Sequence, residues 1–220
     1  MLKCVTWNMQ GGTGANSIVE QLIQRDGADV VFLQESAERG DAIGNIYDYV
    51  GNSGRGENKV HYEGSRMRWH GGYQGATSIV LKQGLGATIS GTIPHPTGDG
   101  RGVLYTTIPR AGMAIYLCSI HAWSPSGNDW DKVAGCLLDE IVNLAGNNPV
   151  IAGGDFNKAA GREKNIGSWE LAGGSQMSGG TLDGFWLYNL PQNGYGDVNS
   201  VGVYNSKKGD HFPVWMQINL

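Results

Sequence analysis

Pro149-Val150-Ile151-Ala152-Gly153-Gly154-Asp155-Phe156-Asn157 is the most informative stretch of the chain. Val150, Ile151 and Ala152 form a short, wholly apolar run, the pattern of a strand buried on both faces. The run then ends in two glycines, an aspartate and an asparagine. An apolar strand buries itself readily but cannot cheaply bury a lone carboxylate. A carboxylate at its final position belongs at a sheet edge, where several strand ends can converge on a cleft. Taken alone, Asp155-Phe156-Asn157 could be an ordinary turn, since both polar residues favour turns.

The same pattern recurs on either side. Residues 3–8 read as a strand ending on Asn8, and Val30-Val31-Phe32-Leu33 as one ending at Gln34-Glu35. A strand over 113–120 runs into His121. Asp183 stands at the start of a strand over 182–188, and Asp210-His211 immediately precede a last strand over 212–219. Further strands are expected at 77–82, 88–93, 103–108 and 197–204. Ile18, Val19, Leu22 and Ile23 recur at helical spacing and predict a helix over 16–26. Val133, Leu137, Leu138, Ile141 and Val142 predict another over 129–145. Residues 52–75 read as a long irregular loop, with a strand near 66–70. Many strands and two long helices fit a two-layer β-sandwich flanked by helices, an α/β architecture. No linker, repeat or shift in composition divides the 220 residues, so one domain over 1–220 is expected.

Each polar strand end has an ordinary explanation on its own: a solvated terminus, a rim histidine, a turn before Pro213. Together they form a constellation with a chemical meaning. Oxygen ligands without a clustered cysteine suit Mg²⁺ or Ca²⁺ rather than zinc. Two histidines with acidic neighbours suit proton transfer near neutral pH. Hydrolysis of a phosphate ester needs both: an activated water, and neutralisation of charge on the phosphoryl oxygens.

The bulk properties narrow the field. No run approaches the roughly 18 apolar residues of a membrane span. Met1 leads straight into a strand with no secretory apolar segment, so either the protein stays inside the cell or a leader has been removed. The net charge of −4 argues against a surface that grips nucleic acid all over, though not against a local basic patch. The three cysteines, Cys4, Cys118 and Cys136, are odd in number and lack C-x-x-C spacing, so neither a disulfide framework nor a zinc site is expected. Cys4 and Cys118 read as buried strand residues. The 36 glycines exceed the usual share of about 7% but have no period, which indicates many tight loops. The glycine turn at 11–14 lacks the Gly-Lys-Ser/Thr of a phosphate-binding loop, and no G-x-S-x-G elbow is present.

In chain order the motifs are Thr-Trp-Asn-Met-Gln-Gly (6–11), Val-Phe-Leu-Gln-Glu (31–35), Ser-Ile-His-Ala (119–122), Ala-Gly-Gly-Asp-Phe-Asn (152–157), Leu-Asp-Gly (182–184) and Gly-Asp-His-Phe-Pro-Val (209–214). With these the chain resembles the endonuclease/exonuclease/phosphatase superfamily over nearly its whole length. Trp-Asn-Met-Gln-Gly and Gly-Asp-Phe-Asn-Lys look closest to the cytolethal distending toxin B subunit and bacterial deoxyribonuclease relatives. The resemblance implies a four-layered α/β/β/α sandwich of the deoxyribonuclease I type and a metal-dependent phosphodiesterase, with Mg²⁺ as the ion and Mn²⁺ or Ca²⁺ as alternatives. It implies that Glu35 is the main metal ligand, with Asn8 and Asp210 near the ion. Asp155 and Asn157 would orient the attacking water and the phosphate, and Asn8 and Arg101 would also contact phosphate. His211 would be the general base, oriented by Asp183. His121 would stabilise the phosphate or protonate the leaving oxygen.

Two departures stand out. Gly209 occupies a usual serine position. The family's nucleases often carry a glutamate just before the strand matching 77–82, where this chain has Gln74 and Gly75, with Glu63 farther upstream; the partner of His121 is therefore open. As to substrate, residues 52–73 carry Arg55, Lys59, Arg66 and Arg68 against Glu57 and Glu63. His61, Tyr62, Trp69, His70 and Tyr73 are interleaved among them. Such a segment suits backbone neutralisation and base stacking, so DNA is the expected substrate, cleaved by a monomer with no obligate protein partner. A phosphoinositide or other small phosphate ester is the alternative.

Overall fold

The computed structural model describes residues 1–9, 16–35, 47–53, 60–64, 77–82, 84–94, 102–122, 135–157, 165–166, 169–171, 182–190, 198–203, 211 and 213–220. Its strands are β1 (Leu2–Asn8), β2 (Val30–Gln34), β3 (Tyr47–Ser53), β4 (Val60–Gly64), β5 (Thr77–Lys82), β6 (Ser90–Ile93), β7 (Val103–Arg110), β8 (Met113–His121), β9 (Val150–Asp155), β10 (Asn165–Ile166), β11 (Trp169–Leu171), β12 (Asp183–Tyr188), β13 (Val198–Val203) and β14 (Val214–Ile218). Helix α1 (Asn16–Gln24) joins β1 to β2, and α2 (Cys136–Ala145) lies between β8 and β9.

The strands form two sheets, ordered β13-β14-β1-β2-β5-β3-β4 and β10-β11-β12-β9-β8-β7-β6. Reversing the second order reveals a shared plan. Each sheet has one parallel pair near its middle, β1 with β2 and β8 with β9, and every other neighbouring pair is antiparallel. A parallel pair needs a crossover, and a helix supplies it in both sheets.

Period-two alternation assigns the faces. Leu2, Cys4, Val30, Phe32, Ile79 and Leu81 of the first sheet meet Leu104, Ile108, Ile115, Leu117, Ile151 and Phe185 of the second in one shared core. The opposite face of the first sheet, with Val5, Trp7, Val31, Leu33 and Val80, is covered by Val19, Leu22 and Ile23 of α1. The outer face of the second, with Cys118, Ile120, Val150, Ala152 and Trp186, receives Leu137, Leu138, Ile141 and Ala145 of α2. The layers are thus α/β/β/α, as expected. Because β2 and β9 are covered on both sides, they are apolar throughout rather than alternating. No helix among the described residues is long and apolar enough to cross a membrane.

Residues 52–53 and 60–64 correct the reading of 52–75 as an irregular loop, since they belong to the strands β3 and β4. Tyr49 to Ser53 pair with Val60 to Gly64, and Tyr47 to Gly51 pair with β5. β5 supplies backbone partners to β3, and β3 to β4, whatever the side-chain pattern. The strand expected near 66–70 and residues 129–134 of the expected second helix lie outside the described residues.

Cys4 and Cys118 are fully buried, as expected, and that burial pushes both thiols far above the usual range. The partly exposed Cys136 is raised chiefly by desolvation. Since the thiolate is the reactive form, a thiol reagent at mildly alkaline pH should label one cysteine per folded chain and three after denaturation. Mass spectrometry of the labelled protein checks this; rapid modification of Cys4 or Cys118 in the folded state would contradict the burial.

Candidate active site

Each central strand changes character along its inward face. On β1 the sequence is Leu2, Cys4, Thr6, Asn8; on β2, Val30, Phe32, Gln34; on β8, Ile115, Leu117, Ser119, His121; on β9, Ile151, Gly153, Asp155. The first members are core residues and the last are polar and buried. β5 and β12 run the other way, so their first residues, Thr77 and Asp183, arrive at the same edge. Parallel pairing aligns the carboxyl ends: Asn8 lies beside Gln34, and His121 beside Asp155, which is also paired with Asp183. The polar ends of both sheets therefore meet at one rim of the sandwich. Gly153 permits the sheets' close approach there, because a Cβ at that position would lie 2.7 Å from the Phe32 ring.

Asp155 is the hub. Its Oδ2 accepts a hydrogen bond from Asn8 Nδ2 across the sandwich at 2.8 Å, and its Oδ1 accepts from the Asn157 backbone N–H at 2.9 Å. Asn157 in turn donates from Nδ2 to the Ala122 carbonyl at 2.7 Å. Both histidines face the same carboxylate: Nε2 of His121 is 3.7 Å and Nε2 of His211 is 4.0 Å from Asp155 Oδ2. Behind His211, Nδ1 lies 2.7 Å from Asp183 Oδ2. The indole N–H of Trp7 donates to the His211 carbonyl at 3.1 Å. The His121 Nε2 also lies 3.6 Å from Glu35 Oε1. Among the described residues Glu35 thus occupies the neighbourhood of His121 that was left open; Gln74 and Gly75 lie outside them.

Two of these residues adopt left-handed backbone. Glu35 has φ of 46° and Asn157 of 50°. Asparagine tolerates this conformation, but glutamate pays for it. Strain of this kind concentrates where a side chain must be aimed, and here it lifts the Glu35 carboxylate off the end of β2 toward His121.

The charge balance bears on metal binding. Glu35, Asp155 and Asp183 bring three carboxylates to a largely buried cluster whose only described cationic groups are two imidazoles. Buried carboxylates need pairing or a cation. Asp155, Asp183 and His211 offer ligand atoms within 4.8 Å of one another and could hold an ion. However, the 2.7 Å contact between Asp183 and His211 already occupies one atom of each as a hydrogen bond. Carboxylate oxygens such as those of Glu35 and Asp155 suit Mg²⁺, Mn²⁺ or Ca²⁺. Asn8, whose nitrogen is committed to Asp155, can offer only its carbonyl oxygen.

Asn8, Glu35, His121, Asp155, Asn157, Asp183 and His211 are therefore brought together. Asp210 and Arg101 lie outside the described residues, as does most of the basic and aromatic segment. The sequence reading assigned no role to Trp7, Thr6, Gln34 or Ser119. All four stand in the quoted motifs. Nothing within those motifs gave the two hydroxyls a role, because a polar residue in a strand ordinarily signals a solvent-facing position.

The sequence profile described as "Endonuclease/Exonuclease/phosphatase family" matches residues 5–199. A search of curated protein sequences finds no match. Among solved structures, the chain is similar to zebrafish (D. rerio) TDP2 humanized by 14 mutations, at 17% identity and a TM-score of 0.71, over 100% of this chain and 99% of that one. It is similar to D. rerio TDP2 complexed with a single-strand DNA product, at 15% identity and a TM-score of 0.69, over 100% and 99%. A mannosyl-6-phosphatase of Bacteroides thetaiotaomicron gives 15% and 0.65, over 100% of both chains. At these identities the likeness is one of fold.

Proposed function

The chain belongs to the endonuclease/exonuclease/phosphatase family and has its deoxyribonuclease I-like fold, and from that premise we propose that it is a divalent-metal-dependent phosphodiesterase that hydrolyses DNA as a monomer. One observation carries the reading: two imidazoles face the same Asp155 oxygen, one backed by Asp183 and the other beside Glu35. That arrangement offers proton transfer at two points around one carboxylate, as attack by water and departure of an ester oxygen require.

The roles follow from the contacts. Asp183 accepts the Nδ1–H of His211, which leaves Nε2 as the basic nitrogen. His211 takes a proton from the attacking water, and Asp183 stabilises the imidazolium. Asp155 and Asn157 orient that water and the phosphate, with Asn8 holding Asp155 in place. His121 donates to the phosphate or to the leaving oxygen. Glu35, with Asn8 and Asp210, would hold a divalent cation, which when bound neutralises charge on the phosphoryl oxygens. Arg101 would add a phosphate contact.

Three observations support nucleic acid. One neighbour of this fold was solved with a single-strand DNA product. Gly51 of β3 pairs with Ser78, one residue from the Thr77–Gln34 pair beside Glu35. β3 thus runs toward the active-site rim, and Arg55 and Lys59 fall between it and β4. The likeness of residues 7–11 and 154–158 to the cytolethal distending toxin B subunit points the same way. The mannosyl-6-phosphatase of the same fold favours a second reading, a small phosphate-ester phosphatase. With Mg²⁺ the purified protein should nick supercoiled plasmid; EDTA or His121→Ala should abolish nicking. Intact plasmid together with phosphate release from sugar phosphates or phosphoinositides would select the second reading.

A further inference from the structure

Beneath the rim lies a second layer of buried polar groups that takes no part in the chemistry above. Ser119, two residues before His121 on the inward face of β8, reaches across the sandwich to β2. Its hydroxyl donates to the Leu33 carbonyl at 3.3 Å and accepts from Gln34 Nε2 at 3.1 Å. The Gln34 amide also meets the Thr6 hydroxyl, at 3.3 and 3.4 Å. Thr6, Gln34 and Ser119 are each wholly buried. Packed sheets ordinarily stand about 10 Å apart, too far for a serine hydroxyl to reach the opposite backbone. Here the facing positions are small: Ser119 pairs with Gly153, whose missing side chain lets Phe32 approach.

We propose that the Ser119–Gln34 bridge is a positioning device that fixes the end of β2 against the end of β8, so that the Glu35 carboxylate is held at the rim beside His121, where it would take a divalent cation. Gln34 is the last residue in register with β1 and β5, and its carbonyl accepts from the Met9 N–H at 2.8 Å. The next residue is the left-handed Glu35. A strained residue holds its conformation only where its surroundings over-determine it. The Ser119 hydroxyl ties down both the carbonyl before Gln34 and the Gln34 side chain itself. An apolar core of the same volume would hold the sheets together as well, but it would not fix the strand end along its length or its rotation.

The inference rests on the reading of Glu35 as metal ligand. Its test is Mn²⁺ binding by isothermal titration calorimetry, alongside thermal unfolding without metal. Ser119→Ala and Gln34→Met should each weaken Mn²⁺ binding about tenfold, the lower end of what loss of a supporting hydrogen bond costs a metal site. The double variant should lose little more than either alone, because both remove one bridge. Thr107→Val is the control. It deletes another buried hydroxyl, bonded to Thr88 at 2.9 Å at the far end of β7, and should lower the melting temperature without changing the Kd. A Kd unchanged in both bridge variants overturns the bridge while leaving the metal assignment standing. Absence of Mn²⁺ binding in the parent protein overturns the metal assignment and the bridge's role with it.

Discussion

Asp183→Asn should fold as the parent does and lose on the order of 10²- to 10⁴-fold in turnover, the contribution of a positioned acid–base group. The carboxylate is fully buried and lies 2.7 Å from His211 Nδ1. On the proposed mechanism it has two tasks: to select the tautomer whose Nε2 is free of hydrogen, and to balance the positive charge that appears when Nε2 takes a proton. An amide of the same shape fails at both. If its NH₂ faces Nδ1, the ring proton moves to Nε2 and the base is gone. If its oxygen faces Nδ1, the hydrogen bond survives but the charge balance does not. His211→Ala should fall to the same floor, and the double variant no further, since the pair acts as one unit. Initial rates on plasmid or on an activated phosphodiester measure this. Turnover near the parental level in Asp183→Asn would remove His211 as the base.

Glu35→Gly should make the metal-free protein more stable while abolishing its activity. The loss, on the order of 10³-fold or more, follows from the proposed role of Glu35 as ligand to an ion that would supply several kcal/mol of charge stabilisation. The gain comes from the backbone: a left-handed non-glycine residue costs about 1–2 kcal/mol, and glycine escapes most of that penalty. A net gain of about 1 kcal/mol should raise Tm by about 2–4 °C in a chain of this length. Saturating Mg²⁺ should narrow the difference or reverse it, because only the parent gains stability by binding the ion. Differential scanning calorimetry with and without Mg²⁺ checks both parts. A lower Tm for the variant in EDTA would show that Glu35 is not held under strain.

Physical reasons explain which parts of this architecture could be read in advance. Val30–Leu33 and Val150–Ala152 were legible because strands covered on both sides must be apolar at every position. The carboxylates and histidines at their ends were legible because the low-dielectric core excludes them, so an abrupt change of polarity marks the rim. β3 and β4 were not. Tyr-Asp-Tyr-Val-Gly-Asn-Ser and Val-His-Tyr-Glu-Gly carry polar residues and glycines; the first pairs on the edge of β5 and the second on the edge of the first. The two-residue β10 is too short for any period to register. Ser119 and Gln34 were missed for a third reason. Alternation shows that they share a face with Leu117 and Phe32, but only the opposite sheet decides whether that face meets water or another hydroxyl. The partnership of Trp7 with His211 spans 204 residues, and no local pattern encodes it.

That span has a consequence for biosynthesis. β1 lies between β2 and β14, so one side of β1 stays unpaired until residues 214–218, far downstream, have been translated. Until then Leu2–Asn8 presents an open, mostly apolar ladder, a template for unwanted pairing. His211 arrives with the same late segment, so a nascent or prematurely terminated chain has no imidazole to set against Asp183. On the proposed mechanism, a nascent chain gains its general base only once residue 211 has been translated.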